Sequence, residues 1–171
     1  MKNIYSDNKK YPQDANFLNK TNYIRRAGII PFIKHEKTYI LLGLSKDDNP
    51  LWSDLGGRSE KDETVLETAV REYGEESRYV LPINLNNIEN ILITGKNNKP
   101  EQVLLTIQVD LKNLNINDYF QKTIPKTKYE DEMSELKWFI YEDFLLMDNL
   151  SGTMKNIQKL LQKNYINNIL I

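Results

Sequence analysis

The sequence predicts one α/β (α+β) domain, an α/β/α sandwich in which a mixed sheet is held between helices. Three observations predict it. Apolar, β-branched-rich runs precede and follow a central amphipathic helix; a second amphipathic helix closes the chain; and 171 residues without internal repeats suit a single domain with a sizeable core.

Residues 1–20 are polar and weakly periodic. They read as a loose N-terminal arm, with Tyr5, Tyr11 and Phe17 as its points of docking, and residues 21–171 read as the domain itself. Arg26–Ile33 (RAGIIPFI) and Thr38–Leu44 (TYILLGL) read as strands of a hairpin turned at His35-Glu36-Lys37. Ser45–Pro50 is a turn cluster, and Leu51–Leu55 then leads into Gly56-Gly57. Thr64–Ser77 is the best helix. Val65, Leu66, Ala69, Val70 and Tyr73 make one apolar stripe, and Asp62 or Glu63 supplies an acidic start. Ile88–Thr94 and Gln102–Leu111 read as strands joined by GKNNKPE, and Lys112–Lys128 as an Asn-rich connection with no element assigned. Leu136–Tyr141 (LKWFIY) reads as the last strand. Met154–Leu161 and beyond reads as the closing helix, with Ile157, Leu160, Leu161 and Tyr165 at helical spacing.

Composition narrows the function classes. Lys plus Arg is 23 and Asp plus Glu is 24, so there is no global basic field for a DNA duplex. The absence of cysteine removes disulfides, thiolate metal sites and a cysteine nucleophile. No run of about 18 apolar residues occurs to span a membrane, and the polar start lacks the apolar core of a secretory signal. A soluble cytoplasmic protein is the expectation. The sequence offers no basis for an oligomeric state.

Glu72, Glu75 and Glu76 stand at i, i+3 and i+4, on one face of the central helix. Three carboxylates on one face repel, and a divalent cation removes that cost. Mg²⁺ and Mn²⁺ prefer such hard oxygen ligands and share them with substrate phosphates. Taken alone, EYGEES is more often a solvated acidic face. The wider spacing changes the balance. Gly57 is followed by five residues and Glu63, then by seven residues and Arg71-Glu72, with Glu75-Glu76 after two more. The Gly56-Gly57 pair lets backbone approach a ligand closely.

GGRSEKDETVLETAVREYGEESRY resembles the Nudix box at every charged position. Tyr73 stands where an aliphatic residue is usual. Arg78 replaces the closing glycine, a helix C-cap position where a Cβ at positive φ costs on the order of 1 kcal/mol. The resemblance implies the family's sandwich fold with its loop-helix-loop. It implies Mg²⁺ (or Mn²⁺) held by Glu72, Glu75 and Glu76 beside Gly57, with Arg71 and Glu63 paired to brace the loop. The implied reaction is attack of water on a phosphorus of a diphosphate linkage, with metals neutralising phosphate charge and a carboxylate as general base.

A shorter stretch, KYEDEMSELKWFIYEDF (128–144), resembles the Nudix enzymes that remove oxidised purine nucleoside triphosphates. That resemblance makes Glu132 an additional catalytic acid, against the alternative of a surface loop. It extends to Trp52, which stands ahead of the Gly56-Gly57 turn and whose ring could stack on a base, and it places Asp148 and Asn149 where those enzymes recognise the base, with an ordinary turn as the commoner alternative for the last two. Gly57 belongs to the substrate set as well, and Arg26, with Arg25, is a candidate phosphate contact. Core packing is the commoner fate of Trp52 and Tyr39, and a solvated strand start that of Arg25-Arg26. His35 reads as a surface turn residue.

The implied activity is cleavage of a nucleoside diphosphate derivative, with (d)NTP to (d)NMP and pyrophosphate foremost. ADP-ribose, dinucleoside polyphosphates and capped mRNA are the alternatives, the last disfavoured by the near-neutral charge. A non-catalytic nucleotide-binding module of the same fold is the rival class. Such modules usually lose box carboxylates that this sequence keeps.

Overall fold

The computed structural model describes residues 3–163, apart from 9, 13, 111, 113 and 114. A strand whose successive side chains are all apolar needs cover on both faces. The runs around Ile30 and Leu105 find it at the centre of an eight-stranded mixed sheet. Its strands are β1 (Asn3–Ser6), β2 (Arg26–Lys34), β3 (Thr38–Ser45), β4 (Trp52–Ser53), β5 (Leu55–Arg58), β6 (Ile88–Lys96), β7 (Lys99–Gln108) and β8 (Met133–Ile140). The order β1-β6-β7-β2-β3-β4 is joined by β5 against β2 and by β8 against β3. The β1/β6 and β2/β7 pairs are parallel and the others antiparallel.

Period-2 alternation sends the side chains to two cores. Ala27, Ile29, Leu41, Val103 and Leu105 face one core, with Val65, Ala69 and Tyr73 of α1 (Val65–Glu76) and Ile116 and Phe120 of α2 (Ile116–Lys122). Ile30, Phe32, Ile40, Leu42 and Leu104 face the other. There they meet Tyr141 and Phe144 of α3 (Tyr141–Phe144) and Met154, Ile157, Leu160 and Leu161 of α4 (Gly152–Lys163). The predicted sandwich is therefore present. Among the described residues no helix is long and apolar enough to cross a membrane.

Several elements differ from their sequence reading. The arm is not loose where it is described. β1 adds in parallel to β6, and Tyr11, Phe17 and Leu18 are buried in the first core. The 112–128 connection contains α2, where Ile116 and Phe120, four residues apart, supply an apolar stripe too short to stand out among polar residues. The cap of α1 is Thr64, the residue at which the sequence reading starts the helix. Its side chain accepts from the Glu67 N–H while Glu67 returns the bond to the Thr64 N–H, a capping box. The last strand starts three residues early, at Met133, and Tyr141 opens α3. Leu111 and Tyr165 lie outside the described residues. The GKNNKPE turn is tight because Asn97 and Asn98 both take positive φ, as a two-residue hairpin loop requires.

Candidate active site

β5 lies antiparallel to the first half of β2, with Gly57 opposite Ala27 and Gly56 opposite Gly28, and α1 packs across both strands. The packing is close because Gly57 has no side chain. A Cβ there would fall on the Glu72 carboxylate. Gly56 is held from both sides. Its N–H donates to Glu76 Oε2 at 2.6 Å, and its carbonyl accepts from Arg26 Nη2 at 2.5 Å.

Glu76 is 5% exposed. Burial pushes its carboxyl well above the usual range; the buried Asp54 carboxylate adds to that, while Arg26 opposes it. Arg26 Nη1 donates to Asp54 Oδ2 at 2.7 Å, so Asp54, Arg26 and Glu76 form one charged cluster behind the glycine pair. Sequence reading passed over Asp54. Its signal is an acid between Trp52-Ser53 and Leu55 in the run leading into the glycines.

Arg71 organises the opposite side. Nε and Nη2 donate to the two oxygens of Glu63 at 2.6 and 3.0 Å. Nη1 donates to Glu72 at 2.8 Å and to Glu75 at 3.2 Å, and Nη2 also reaches the Arg58 carbonyl at 2.9 Å. The Arg71 hydrogen bond, joined by bonds from the Glu60 N–H and Thr68 hydroxyl, draws the Glu63 carboxyl down to about 2 despite partial burial. Glu72 moves the other way, raised by burial against the pull of Arg71.

Gly57, Arg71, Glu72, Glu76, Tyr129 and Glu132 line one cleft of about 350 Å³. Glu132 comes from the loop before β8. Burial, and then the Glu75 charge, raise its carboxyl. Tyr129, unpredicted, is an exposed aromatic at the same cleft, three residues before Glu132. Arg26 lines an adjoining cavity of about 540 Å³ with Arg25 and Arg58. The other expected substrate residues lie elsewhere. Trp52 is 7% exposed and packs edge-on against Phe139 at 4.7 Å in the core under α4. Asp148 and Asn149 are exposed in the loop before α4, where the Asn149 carbonyl accepts from the Trp52 N–H. His35 is an exposed turn residue.

The donor set fits a hard divalent cation. It consists of carboxylates beside a side-chain-free glycine backbone, and Glu76 is a nearly buried carboxylate that accepts the Gly56 N–H and is only partly offset by the charge of Arg26. Among the described residues no three acidic or histidine side chains already converge as a finished cage. Glu72 and Glu75 are turned onto Arg71 instead.

A mixed sheet between helices, with an acidic helix laid over a glycine pair, defines a class of α+β sandwich domains. The NUDIX domain model matches residues 22–161. The chain belongs to the Nudix family, and it is a hydrolase acting on pyrophosphate bonds. Solved structures share its fold. The Nudix hydrolase RenU from M. smegmatis has a TM-score of 0.56 at 17% identity, covering 87% of this chain and 89% of its own. The NUDIX domain of Shewanella oneidensis NrtR, complexed with ADP ribose, gives 0.53 at 16% identity, covering 85% and 90%. The MutT protein from Methanosarcina mazei gives 0.50 at 15% identity, covering 97% and 98%. No curated protein matches significantly.

Proposed function

We propose that this chain is a Mg²⁺- or Mn²⁺-dependent pyrophosphohydrolase that converts a nucleoside triphosphate to the monophosphate and pyrophosphate, in the manner of enzymes that remove oxidised purine nucleotides. The observation that carries the reading is the single cleft uniting Gly57, Glu72 and Glu76 with Glu132, a residue from a distant part of the chain. The likeness to the Methanosarcina mazei MutT protein over nearly the whole chain supports it.

Glu72, Glu76 and Glu75 would hold the cation beside the Gly57 backbone. Bound there, it would neutralise the diphosphate and acidify a water. Arg71 and Glu63 keep the loop and helix in register. Arg26, through the Gly56 carbonyl and Asp54, sets the backbone on which the phosphates rest. Arg25 and Arg58 flank the adjoining cavity, where an extended phosphate chain would find positive charge. Glu132, which lines the same cleft, would accept a proton from the attacking water, a role that a box carboxylate can also fill. Asp148 and Asn149 belong to this reading as the base-recognising edge, with the buried Trp52 supporting them through its backbone N–H to the Asn149 carbonyl and not as a surface that a base could stack on. A single domain at 21–171, an arm at 1–20 docked onto its sheet and core, and a cytoplasmic setting complete it.

ADP ribose is the second substrate class, favoured by the bound ligand of the Shewanella oneidensis domain. A nucleotide panel with Mg²⁺ separates the two. Pyrophosphate release from dNTPs supports the first, and hydrolysis of ADP-ribose alone selects the second. Glu76→Gln is expected to slow hydrolysis by about a hundredfold or more with the fold intact. Equal rates for wild type and variant would remove the box from the catalytic assignment and leave a nucleotide-binding module.

A further inference from the structure

Arg78 occupies the position after the helix cap where the box pattern carries glycine. Its φ is 52° and that of Tyr79 is 56°. The turn closes as a Schellman motif, with Tyr79 N–H donating to Gly74 O at 2.9 Å and Arg78 N–H to Glu75 O at 3.0 Å. A Cβ-bearing residue is strained there, so the arginine side chain must offset what glycine would avoid. That side chain is nine-tenths buried, at 8% exposure. Nε donates to Glu130 O at 3.0 Å, Nη2 to Met133 O at 3.3 Å, and Nη1 to Phe120 O at 3.1 Å and Thr123 O at 2.9 Å. The guanidinium carbon lies 3.9 Å from the centre of the Phe120 ring.

We propose that Arg78 is a positioning residue of the hydrolytic site, one that ties the end of α1 to both flanks of Asp131-Glu132 and so holds Glu132 in the cleft. The inference rests on the reading of that cleft as catalytic. The carbonyls it grips, Glu130 and Met133, bracket Glu132 in sequence. Glu132 lies on an exposed loop at the edge of the cleft, so its place there depends on how the backbone on either side of it is held. Lys46 completes the frame, its N–H donating to Glu132 O at 2.9 Å and its ammonium pairing with Asp131. Arg78 stands two residues after Glu76. The same backbone that presents the box carboxylates therefore sets the distance to Glu132. A compact ammonium cannot reproduce this grip, because the planar fork reaches carbonyls on two sides at once.

Arg78→Lys tests the idea beside Glu132→Gln and the double variant. In Arg78→Lys, kcat on a dNTP should fall about tenfold with KM within about twofold. In metal-free protein, amide exchange over residues 126–134 should quicken while β2 and β3 stay protected. On the Glu132→Gln background, the same substitution should cost less than about twofold more, because a positioning residue has nothing left to position. Rate losses that multiply, or unchanged exchange over 126–134, overturn the proposal. If circular dichroism shows that Arg78→Lys does not fold, Arg78→Gln takes its place under the same criteria. A wild type inactive on every nucleotide would sink the catalytic reading instead. An active wild type with multiplying losses sinks the clamp alone.

Discussion

Arg71 engages every donor of its guanidinium: the bidentate pair to Glu63, one bond each to Glu72 and Glu75, and one to the Arg58 carbonyl. That arrangement answers the repulsion expected of three carboxylates on one helix face. It also has a pH signature. The Glu63 carboxyl is drawn down to about 2 by Arg71, against about 4.3 in an unfolded chain. A depressed carboxylate contributes stability that is present above the unfolded value and lost as pH falls through the folded one. Urea unfolding of wild type and Glu63→Gln should therefore differ most from neutral pH down to about 4.5 and converge near pH 2. A gap of constant size across that range would refute the pairing as a source of stability. The Arg71–Glu63 pair was legible in the sequence because the box spacing names both partners. The bonds to Glu72 and Glu75 were not, because spacing shows that residues share a face and not where an arginine fork points.

At the scale of elements, α1 is bounded by two different devices. Its N-terminus carries the Thr64/Glu67 capping box, and its C-terminus a Schellman turn built on a non-glycine residue. The first signal was in the sequence: Thr-Val-Leu-Glu ahead of an apolar stripe fits the capping-box pattern. The acidic Asp62 and Glu63, which suit a helix start, lie just ahead of that cap. Thr64→Ala should lower unfolding stability by about 1 kcal/mol, read as a shift in urea midpoint at unchanged m-value. No shift would mean that Glu67 alone satisfies the helix start. The strand runs were similarly legible, since apolar stretches bounded by turn residues identify themselves. α2 was not, because its helical signal amounts to Ile116 and Phe120 and is supplied by the core they enter.

Across the whole molecule, the N-terminal segment is part of the fold. β1 extends the sheet at β6, and Phe17, 2% exposed, packs into the core shared with α1. Phe17→Ala should destabilise the protein by about 3–5 kcal/mol, whereas a loose arm would allow less than about 0.5 kcal/mol. Thermal or urea unfolding distinguishes the two. The sandwich explains why the two halves of the proposed site diverge. The carboxylate cleft lies on the α1 side of the sheet, and Trp52 packs into the α4 side.

What the sequence determined by itself was local. An α-helix repeats every 3.6 residues, so the positions of Glu72, Glu75 and Glu76 on one face, their spacing from Gly57 and Glu63, and the membership that spacing signals could all be read along the chain. The continuous apolar runs of the strands likewise foretold a sheet covered on both faces. Tertiary structure decided what depends on contacts between distant segments. It brought Glu132 into the cleft with Glu76 and buried Trp52 against Phe139. It engaged Arg26 with Asp54 and turned Arg78 from a misplaced cap residue into a buried anchor. Those outcomes follow from strand order and helix docking, which bring together residues 28 to 87 positions apart. No periodicity in the sequence spans such an interval.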